Sequence, residues 1–303
     1  MKQKILTKLA RRQEVEGYLF ISPWIIGFII FLLFPIGLSI YLSFTGYDYL
    51  SPPKFIGLTN YLRALTIDPL FWHTLKITLL FAVMTLPLDF ALSFGVALLL
   101  NFRGYGMNVY RAIYYLPSVL PPVAIAILWL WIFNPQYGII NQALGSLGIQ
   151  GPGWLFDPQW ALFALVIMSL WGFGRAMIIY LAGLQNINPE FYDAAKVDGA
   201  GVVASFWKIT FPMMSPVIFF NLIMGIIGSF QVFVQAFIMT GGGPSRSTLF
   251  YMLYLYQNAF SFSKAGYASA LAWLLFIIIL FFSLLVLRSS SVWVYYEGEL
   301  KGR

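Results

Sequence analysis

Long apolar runs alternate with short polar stretches along most of the chain, and six of the runs are long enough to cross a bilayer. A membrane-spanning helix needs about 20 predominantly apolar residues. The pattern predicts spans at Tyr18–Ser43, Leu75–Leu100, Ala112–Phe133, Trp160–Leu184, Pro212–Thr240 and Tyr267–Leu287. Pro23 and Pro35 fall within the first run, but membrane helices tolerate proline. The sequence therefore predicts an all-α integral membrane protein with six transmembrane helices.

The composition agrees with a lipid environment. The 303 residues are 60% hydrophobic and only 10% charged, whereas an ordinary soluble domain is about 25% charged. A soluble domain could not bury so much apolar surface, which excludes a soluble enzyme, a disordered chain and a disulfide scaffold. The chain has no Cys and one His, His73, so a Cys- or His-based metal site and a Ser-His-Asp triad are also excluded. We expect no metal and no cofactor.

Positive charges are distributed unevenly between the two sides of the predicted membrane domain. Of the 18 Lys and Arg residues, twelve fall on one side, four on the other, and Lys76 and Arg175 lie within spans. Lys and Arg accumulate on the cytoplasmic side of membrane proteins. The bias predicts a multi-pass protein of the cytoplasmic membrane with both termini in the cytoplasm. Because the basic residues form no single face, nucleic acid is not an expected partner.

This orientation divides the chain into three predicted parts. Residues 1–17 form a cytoplasmic N-terminal segment, residues 18–287 the six-helix membrane domain, and residues 288–303 a cytoplasmic tail. Within the membrane domain, the cytoplasmic loop 185–211 is much longer than the cytoplasmic connection near 101–111. The length of this loop indicates structure of its own.

The long loop has the signals of a short helix. Asn188 is a suitable N-cap, Pro189 suits the first helical position, and Glu190 adds an acidic group to the first turn. Gly199 or Gly201 can end the helix. A second short helix, Val202–Lys208, is expected at nearly a right angle before Pro212 opens the fifth span. The residues alone leave two interpretations open: a docking surface for another protein, or a loop that rests on the membrane interface.

The same loop carries a family motif. Asp193-Ala194-Ala195 is followed after three residues by Gly199, and after nine more by Ile209-Thr210-Phe211-Pro212. This pattern resembles the EAA motif of ABC importer permeases, with Asp193 in place of the usual Glu and Phe211 in place of the usual Leu. Segments near Arg111–Pro117, Gly183–Gln185 and Phe237–Ala270 are similar to carbohydrate permeases of the MalF/UgpA type. The resemblance covers most of the chain, from about Tyr18 to Leu287.

The resemblance implies one half of the membrane part of a transporter, with the type I ABC importer permease fold. It implies four kinds of partner: a second homologous permease subunit, a dimer of cytoplasmic ABC ATPases, an extracytoplasmic solute-binding protein and a carbohydrate substrate, with membrane lipid around the complex. The EAA segment would be a coupling helix that sits in a cleft of the ATPase. The residues it assigns to coupling are Glu190, Tyr192, Asp193, Ala194, Ala195, Asp198, Gly199 and Ala200.

The chain lacks a phosphate-binding loop of its own. Such a loop needs a Gly-rich turn followed by Gly-Lys-Ser/Thr. The Gly-rich run Gly241–Thr248 has no Gly-Lys and lies on the predicted external side, where it is better interpreted as a turn. We therefore expect a non-catalytic subunit whose ATP hydrolysis takes place in partner chains.

Two ionisable residues, Asp89 and Arg175, fall inside predicted spans, where charged groups are costly. Counted along straight helices from Leu75 and Trp160, both lie about 21–22 Å from the outer end. An ion pair between them is one interpretation. The other interpretation makes Arg175 a contact of the substrate.

The substrate contacts implied by the resemblance to the maltose permease subunit lie on the spans that flank the EAA loop. They are Gly172 and Arg175 before the loop, and Gly225, Gly228 and Ser229 after it. Only the small residue Gly172 matches that subunit, so we expect a remodelled pocket that suits a larger or an anionic ligand. Asn221 shares one helical face with Gly225 and Gly228. That face either packs against another helix or lines the transport path.

Three other functions remain as alternatives. An ion-coupled secondary transporter usually has several intramembrane carboxylates, whereas this chain has mainly Asp89. An integral-membrane enzyme should have a cluster of His, Asp or Glu at one interface, and the sequence has no such cluster. An ABC permease for another solute, such as a glycerol phosphate ester, stays open because the EAA loop identifies the ATPase coupling and not the cargo.

Overall fold

The computed structural model describes residues 2–102 and 104–295, with side chains from residue 10 onward. Its helices are α1 (Lys2–Phe28), α2 (Phe34–Ser43), α3 (Thr59–Leu62), α4 (Pro69–Leu100), α5 (Met107–Tyr115), α6 (Pro122–Ile132), α7 (Ile139–Ser146), α8 (Ala161–Leu170), α9 (Gly174–Gln185), α10 (Pro189–Val197), α11 (Val202–Ser205), α12 (Phe211–Phe230), α13 (Tyr251–Tyr256) and α14 (Ala265–Trp293). Short π-helical segments lie at Ile29–Leu33, Arg63–Ile67, Phe206–Thr210, Ala236–Thr240 and Gln257–Ser261. The strands β1 (Thr45–Gly46) and β2 (Lys54–Phe55) pair antiparallel.

Four continuous helical segments of the described chain are long and apolar enough to cross a membrane. They are Ala10–Ser43, Pro69–Leu100, Val202–Phe230 and Ala265–Trp293. Two more crossings require a bent pair of helices: α5 to Val119 with α6 at 97°, and α8 with α9 at 41°. The described chain therefore has four to six candidate crossings, and the predicted six is the upper value.

The third predicted span, Ala112–Phe133, is not one straight helix, and three prolines explain why. The chain leaves α5 through a tight turn at Leu116–Val119 and starts again at α6. Proline lacks the backbone N–H that a helix needs and pushes the preceding residue out of the helical region. Leu120 and Pro121, which each precede a proline, are extended (ψ 144° and 135°). The predicted tolerance of proline concerned Pro23 and Pro35 of the first span, which do lie within helices; the consecutive prolines of the third span break its helix.

The fourth and fifth predicted spans also contain breaks. Trp160–Leu184 was predicted as one span, but α8 ends at Leu170 and α9 begins at Gly174. Pro212–Thr240 was predicted as one span, but α12 ends at Phe230. The apolar pattern continues through both breaks, so hydrophobicity alone could not reveal them.

The predicted second loop helix, Val202–Lys208, is not separate from the fifth span. The chain runs as a single helical segment from Val202 to Phe230, with a π-helical turn at Phe206–Thr210. In that turn the Phe211 N–H donates to the Phe206 carbonyl. The extra residue of a π turn accommodates the missing N–H of Pro212, so the helix continues through the proline at which the fifth span was predicted to open.

The outer boundaries of the predicted parts shift outward in the structure. α4 begins at Pro69, where the Asp68 side chain accepts a hydrogen bond from the Leu70 N–H (2.9 Å) and caps the helix. The predicted N-terminal segment is helical and continuous with the first span. α14 continues to Trp293, and residues 296–303 of the predicted tail lie outside the described residues.

Two compact units make up the chain, Met1–Ile67 with Gln257–Leu274 and Asp68–Tyr256 with Leu275–Arg303. In the first unit, the buried side-chain amide of Asn60 donates to the backbone oxygens of Ser43 and Thr45, at 2.9 Å each. The bond to Ser43 satisfies a carbonyl group that the end of α2 leaves free, and the bond to Thr45 holds the chain where it enters β1. From Ala10 to Leu42, no side chain is buried by the described residues.

The core of the second unit lies where α4, α9 and α12 pack together. Phe94 of α4 meets Tyr180 of α9 edge to face, with ring centroids 5.3 Å apart, and Met214 of α12 is fully buried beside them. A Cβ on Gly183 would lie 2.9 Å from the Val217 side chain and 3.0 Å from Met214. Small residues that allow close helix contact are typical of packing in lipid, where apolar burial gives little driving force.

A glycine in α9 provides a test of this packing. A Cβ on Gly174 would lie 2.3 Å from the Tyr114 carbonyl oxygen and 2.9 Å from the Tyr115 Cα. Because backbone atoms cannot move aside as a side-chain tip can, we expect Gly174→Ala to lower the free energy of unfolding by about 1–3 kcal/mol. Thermal unfolding of the purified protein in detergent measures the loss.

Gly95→Ala in α4 is the matched control for this substitution. No atom lies within 4 Å of the position that its Cβ would take, and alanine favours a helix over glycine by about 1 kcal/mol. We expect unchanged or higher stability for this variant. Equal losses for the two variants would contradict the close approach at Gly174.

Candidate functional site: a polar cavity and a helical loop

A cavity of about 250 Å³ lies in the second unit, between α4, the end of α8 and the C-terminal half of α12. Ligand sites usually enclose roughly 300–1,000 Å³, so this cavity is small. Its lining residues are Phe81, Thr85, Leu86, Asp89, Ser169, Leu170, Gly225, Gly228, Ser229, Val232 and Gln235. The cavity therefore lies along helices that are candidate membrane crossings.

Two glycines of α12 shape the cavity. A Cβ on Gly225 would lie 2.7 Å from Cδ2 of Leu86, so the glycine lets α12 approach α4. No atom lies within 4 Å of the corresponding position on Gly228, which leaves open space beside the helix. The end of α12 at Phe230 then brings Val232 and Gln235 to the same cavity.

The hydroxyl groups that line the cavity have their protons engaged elsewhere. Thr85 donates to the Phe81 carbonyl at 2.7 Å, Ser169 to the Val166 carbonyl at 2.7 Å, and Ser229 to the Ile226 carbonyl at 2.9 Å. A hydroxyl that donates to its own helix still has lone pairs that accept. These three groups therefore offer mainly hydrogen-bond acceptors to a ligand.

Asp89 is the one charged residue among the described residues that line the cavity. It is half-buried, and its carboxylate forms no ion pair or hydrogen bond with a described protein group. The predicted alternative of an ion pair with Arg175 is not formed, because Arg175 lies exposed on α9, beyond the 41° bend. The depth estimate assumed one straight helix from Trp160; the bend changes that depth little, but equal depth did not bring the two side chains together.

The structure brings together some of the predicted substrate residues and not others. Gly225, Gly228 and Ser229 line the cavity. Gly172 and Arg175 are exposed and do not line it, while Asn221 donates to the Val217 carbonyl of its own helix (2.9 Å) and also lies outside it. Substrate contact by any of these six residues remains a prediction.

Sequence reasoning missed most of the polar wall opposite α12. Thr85, Asp89 and Ser169 line the cavity from α4 and α8. Asp89 was noticed as an intramembrane charge, and the same signal, a polar group inside an apolar run, was available for Thr85 and Ser169. Their meeting depends on how α4 packs against the end of α8, which no local pattern specifies.

The long loop forms the short helix that its capping signals predicted. In α10, the Asn188 side chain accepts a hydrogen bond from the Glu190 N–H at 3.1 Å, and Pro189 occupies the first position. At the other end, Gly199 has φ +75°, and the Ala200 N–H donates to the Ala195 carbonyl at 2.8 Å. A glycine with positive φ and a hydrogen bond that closes a six-residue turn are a common way for a helix to end.

One face of the loop is anchored and the other is free. The Tyr192 hydroxyl and the Thr210 hydroxyl form a hydrogen bond of 3.0 Å, and Phe206 packs against the hydrophobic core. Glu190, Asp193, Ala194, Asp198 and Gly199 are exposed. Val197 and Val202 are each 88% exposed, so two apolar side chains next to the motif are uncovered.

A family model matches residues 90–292, about two thirds of the chain: the binding-protein-dependent transport system inner membrane component. The chain belongs to this family. The match confirms the predicted family, and it includes the last third of α4, the cavity residues of α8 and α12, and the whole long loop.

Relatives and a solved structure agree with the family over the whole chain. The probable ABC transporter permease protein YesP of Bacillus subtilis is 43% identical over 95% of this chain and 94% of its own. The trehalose/maltose transport system permease protein MalF of Thermococcus litoralis is 34% identical over 95% of this chain and 98% of its own. A crystal structure of a bacterial ABC transporter involved in the import of the acidic polysaccharide alginate contains a chain with a TM-score of 0.81 and 24% identity, covering 95% of this chain and 98% of that one. That likeness establishes the fold.

This permease is therefore a multi-pass inner-membrane subunit with the ABC importer permease fold. It is a non-catalytic subunit, and ATP hydrolysis belongs to separate ATPase chains, as predicted. Family membership also removes the ion-coupled transporter and the membrane enzyme from consideration.

The anchoring of α10 provides a prediction. In Tyr192→Phe the hydrogen bond to Thr210 is lost, which costs about 0.5–1.5 kcal/mol. We expect local opening of the loop to become about fivefold more frequent, because 1 kcal/mol changes an equilibrium by about that factor. The rate of tryptic cleavage after Lys196 measures the opening.

Tyr105→Phe is the control for the loss of a phenolic hydroxyl. Tyr105 is fully exposed, and its removal should leave the cleavage rate unchanged. An unchanged rate in Tyr192→Phe as well would show that the Tyr192–Thr210 bond does not hold the loop.

Proposed function

We propose that this permease moves a carbohydrate across the cytoplasmic membrane and that the cavity beside Asp89 is part of its substrate path. The observation that carries the proposal is a polar cavity formed by helices that are themselves candidate membrane crossings. Polar groups inside a membrane mark transport paths more often than structural roles. Midplane sites formed at the ends of broken helices are the usual design of transporters.

The names of its relatives support a carbohydrate as the cargo. The Thermococcus litoralis relative is named for trehalose and maltose, and the similar crystal structure belongs to an importer of the acidic polysaccharide alginate. These cargoes differ in size and charge, so they support a substrate class and not one sugar. Gly225, Gly228 and Ser229 are the proposed contacts on α12.

The proposed complex has the partners that the family description implies. A solute-binding protein would deliver the sugar from outside, and a dimer of ABC ATPases would bind on the cytoplasmic side. A second permease subunit would complete the path. In the first candidate span, no side chain from Ala10 to Leu42 is buried by the described residues, so we expect the second subunit or lipid to cover it. The positive charge bias supports cytoplasmic termini and places α10 on the same side.

The exposed side of α10 is the proposed docking surface for the ATPase. Its residues are Glu190, Asp193, Ala194, Ala195, Asp198, Gly199 and Ala200, while Tyr192 anchors the helix from behind through Thr210. Small side chains allow the backbone of a partner to approach closely, and the exposed Val197 and Val202 supply apolar area. The Asp193–Lys196 ion pair (2.9 Å) is solvent-exposed, so it adds little to stability.

Movement of α10 has a direct structural route to the cavity. Tyr192 bonds to Thr210, which lies in the helical segment Val202–Phe230, and the other half of that segment lines the cavity with Gly225, Gly228 and Ser229. Closure of the ATPase dimer would shift α10 and, through this helix, one wall of the cavity. The permease pair would thus alternate between inward-open and outward-open forms.

Gly199 tests the docking surface and the helix end together. Gly199→Val should reduce ATP-driven import at least about tenfold, because a β-branched residue at φ +75° is strained by about 1–3 kcal/mol and its side chain enlarges the docking face. Import of radiolabelled sugar into proteoliposomes that contain the full complex measures the effect.

Gly199→Asn separates the two causes. Asparagine accepts positive φ at little cost, so a loss of import with a normal α10 would indicate the docking face, and recovery of import would indicate the backbone. Normal import by both variants would contradict the assignment of α10 to ATPase coupling.

A further inference from the structure

No contact of Asp89 with the described residues offsets the free-energy cost of a carboxylate inside a membrane span. It lies on α4, in the middle of a candidate membrane crossing, and its carboxylate has no protein partner there. A carboxylate in lipid surroundings normally pairs with a cation or faces water. Here it faces the cavity.

The groups around Asp89 share one hydrogen-bonding character. An ionised carboxylate only accepts, and the hydroxyls of Thr85, Ser169 and Ser229 already donate to their own helices. The amide of Gln235 is the one side-chain group of the described lining with free N–H donors. The cavity thus presents many acceptors, few donors and no cation.

We propose that Asp89 determines specificity: its carboxylate accepts hydrogen bonds from neighbouring hydroxyls of an uncharged sugar unit in the cavity. A sugar ring has several hydroxyl donors on adjacent carbons, and it complements a wall of acceptors. A unit with a carboxylate or phosphate at the same place brings a like charge without a cation to offset it. The proposal rests on the proposed function and names the substrate class of that site.

This assignment replaces an expectation that depended on Arg175. An anionic ligand was expected if Arg175 lined the pocket, but Arg175 lies outside the cavity and Asp89 lies inside it. The carbohydrates named for the proteins above, trehalose and maltose on one side and the acidic alginate on the other, differ in charge. The charge of this cavity therefore bears directly on which kind of carbohydrate this permease accepts.

The electrostatic part can be tested without knowing the sugar. The chain has no native cysteine, and Gly228 lines the cavity with free space at its Cβ position, so Gly228→Cys gives a single thiol there. In the reconstituted complex we expect the ratio of the reaction rates of trimethylammonium-ethyl and sulfonate-ethyl methanethiosulfonate to exceed the ratio for a free thiol at least about tenfold, because a cleft of one charge enriches the opposite ion. Adding Asp89→Asn should bring the ratio close to that of a free thiol.

Salt provides a second measurement in the protein with native Asp89. The preference for the cationic reagent should decrease as ionic strength rises. A ratio close to that of a free thiol in the native Asp89 background, or a ratio that Asp89→Asn leaves unchanged, would overturn the proposal. This measurement stands even if Asp89→Asn does not assemble.

Transport tests the recognition of hydroxyls. In proteoliposomes with the binding protein, ATPase and second permease, Asp89→Asn should lower kcat/KM for import of the carbohydrate at least about tenfold, the usual effect of losing hydrogen bonds to a charged group. It should also lower the preference for the neutral sugar over its C6-oxidised, uronate form. Asp157→Asn, which removes a loop carboxylate that accepts from the Gln159 N–H (2.9 Å), should behave as wild type.

The outcomes separate the two proposals. If the wild-type complex imports no carbohydrate, the proposed function fails, and the thiol ratio still decides whether Asp89 makes the cavity selective for charge. If the wild type imports carbohydrate and Asp89→Asn does so with the same kcat/KM and the same preference, the assignment of Asp89 fails while the proposed function stands.

Discussion

The need to satisfy backbone hydrogen bonds inside lipid governs this structure. A helix that stops within the membrane leaves carbonyl and N–H groups that lipid cannot satisfy, so irregular backbone is tolerated only where protein or a polar cavity receives it. α8 stops at Leu170 and α12 stops at Phe230, and both ends border the same cavity. Short turns keep backbone groups paired at both breaks: the Gly172 N–H donates to the Ser169 carbonyl and the Gln231 N–H to the Gly228 carbonyl, at 3.1 Å each. The helices can therefore stop beside the polar site.

The sequence predicted the parts of the fold that depend on local chemistry. The apolar runs located the membrane helices, and Asn188, Pro189 and Gly199 located both ends of α10. The EAA pattern identified the family that the comparison then confirmed. Each of these signals lies within a short stretch of chain, where residue type alone decides the conformation.

The features that the sequence did not predict depend on contacts between distant segments of the chain. Gly172 and Gly174 lie at the 41° bend, but glycine is common in membrane helices and does not by itself specify a bend. No local signal shows that Arg175 is outside the cavity while Asp89 is inside it. Thr85 and Ser169 are ordinary residues in apolar helices until α4 and α8 pack together. The π turn at Phe206–Thr210 accommodates Pro212. The sequence predicted this proline as the start of the fifth span, but it lies inside a continuous helical segment.

The Val202–Phe230 segment is continuous. In the proposed coupling, a displacement of its loop end would therefore be carried to its cavity end. At 1.5 Å per residue, its 29 residues form a rod about 43 Å long. The π turn at Phe206–Thr210 is a weak joint in the part of that rod nearest the loop. In the proposed coupling, the stiffness of this turn would determine how tightly ATP hydrolysis is tied to transport: a compliant turn would let the ATPase cycle without moving a sugar, and a stiff one would tie each turnover to a transport event.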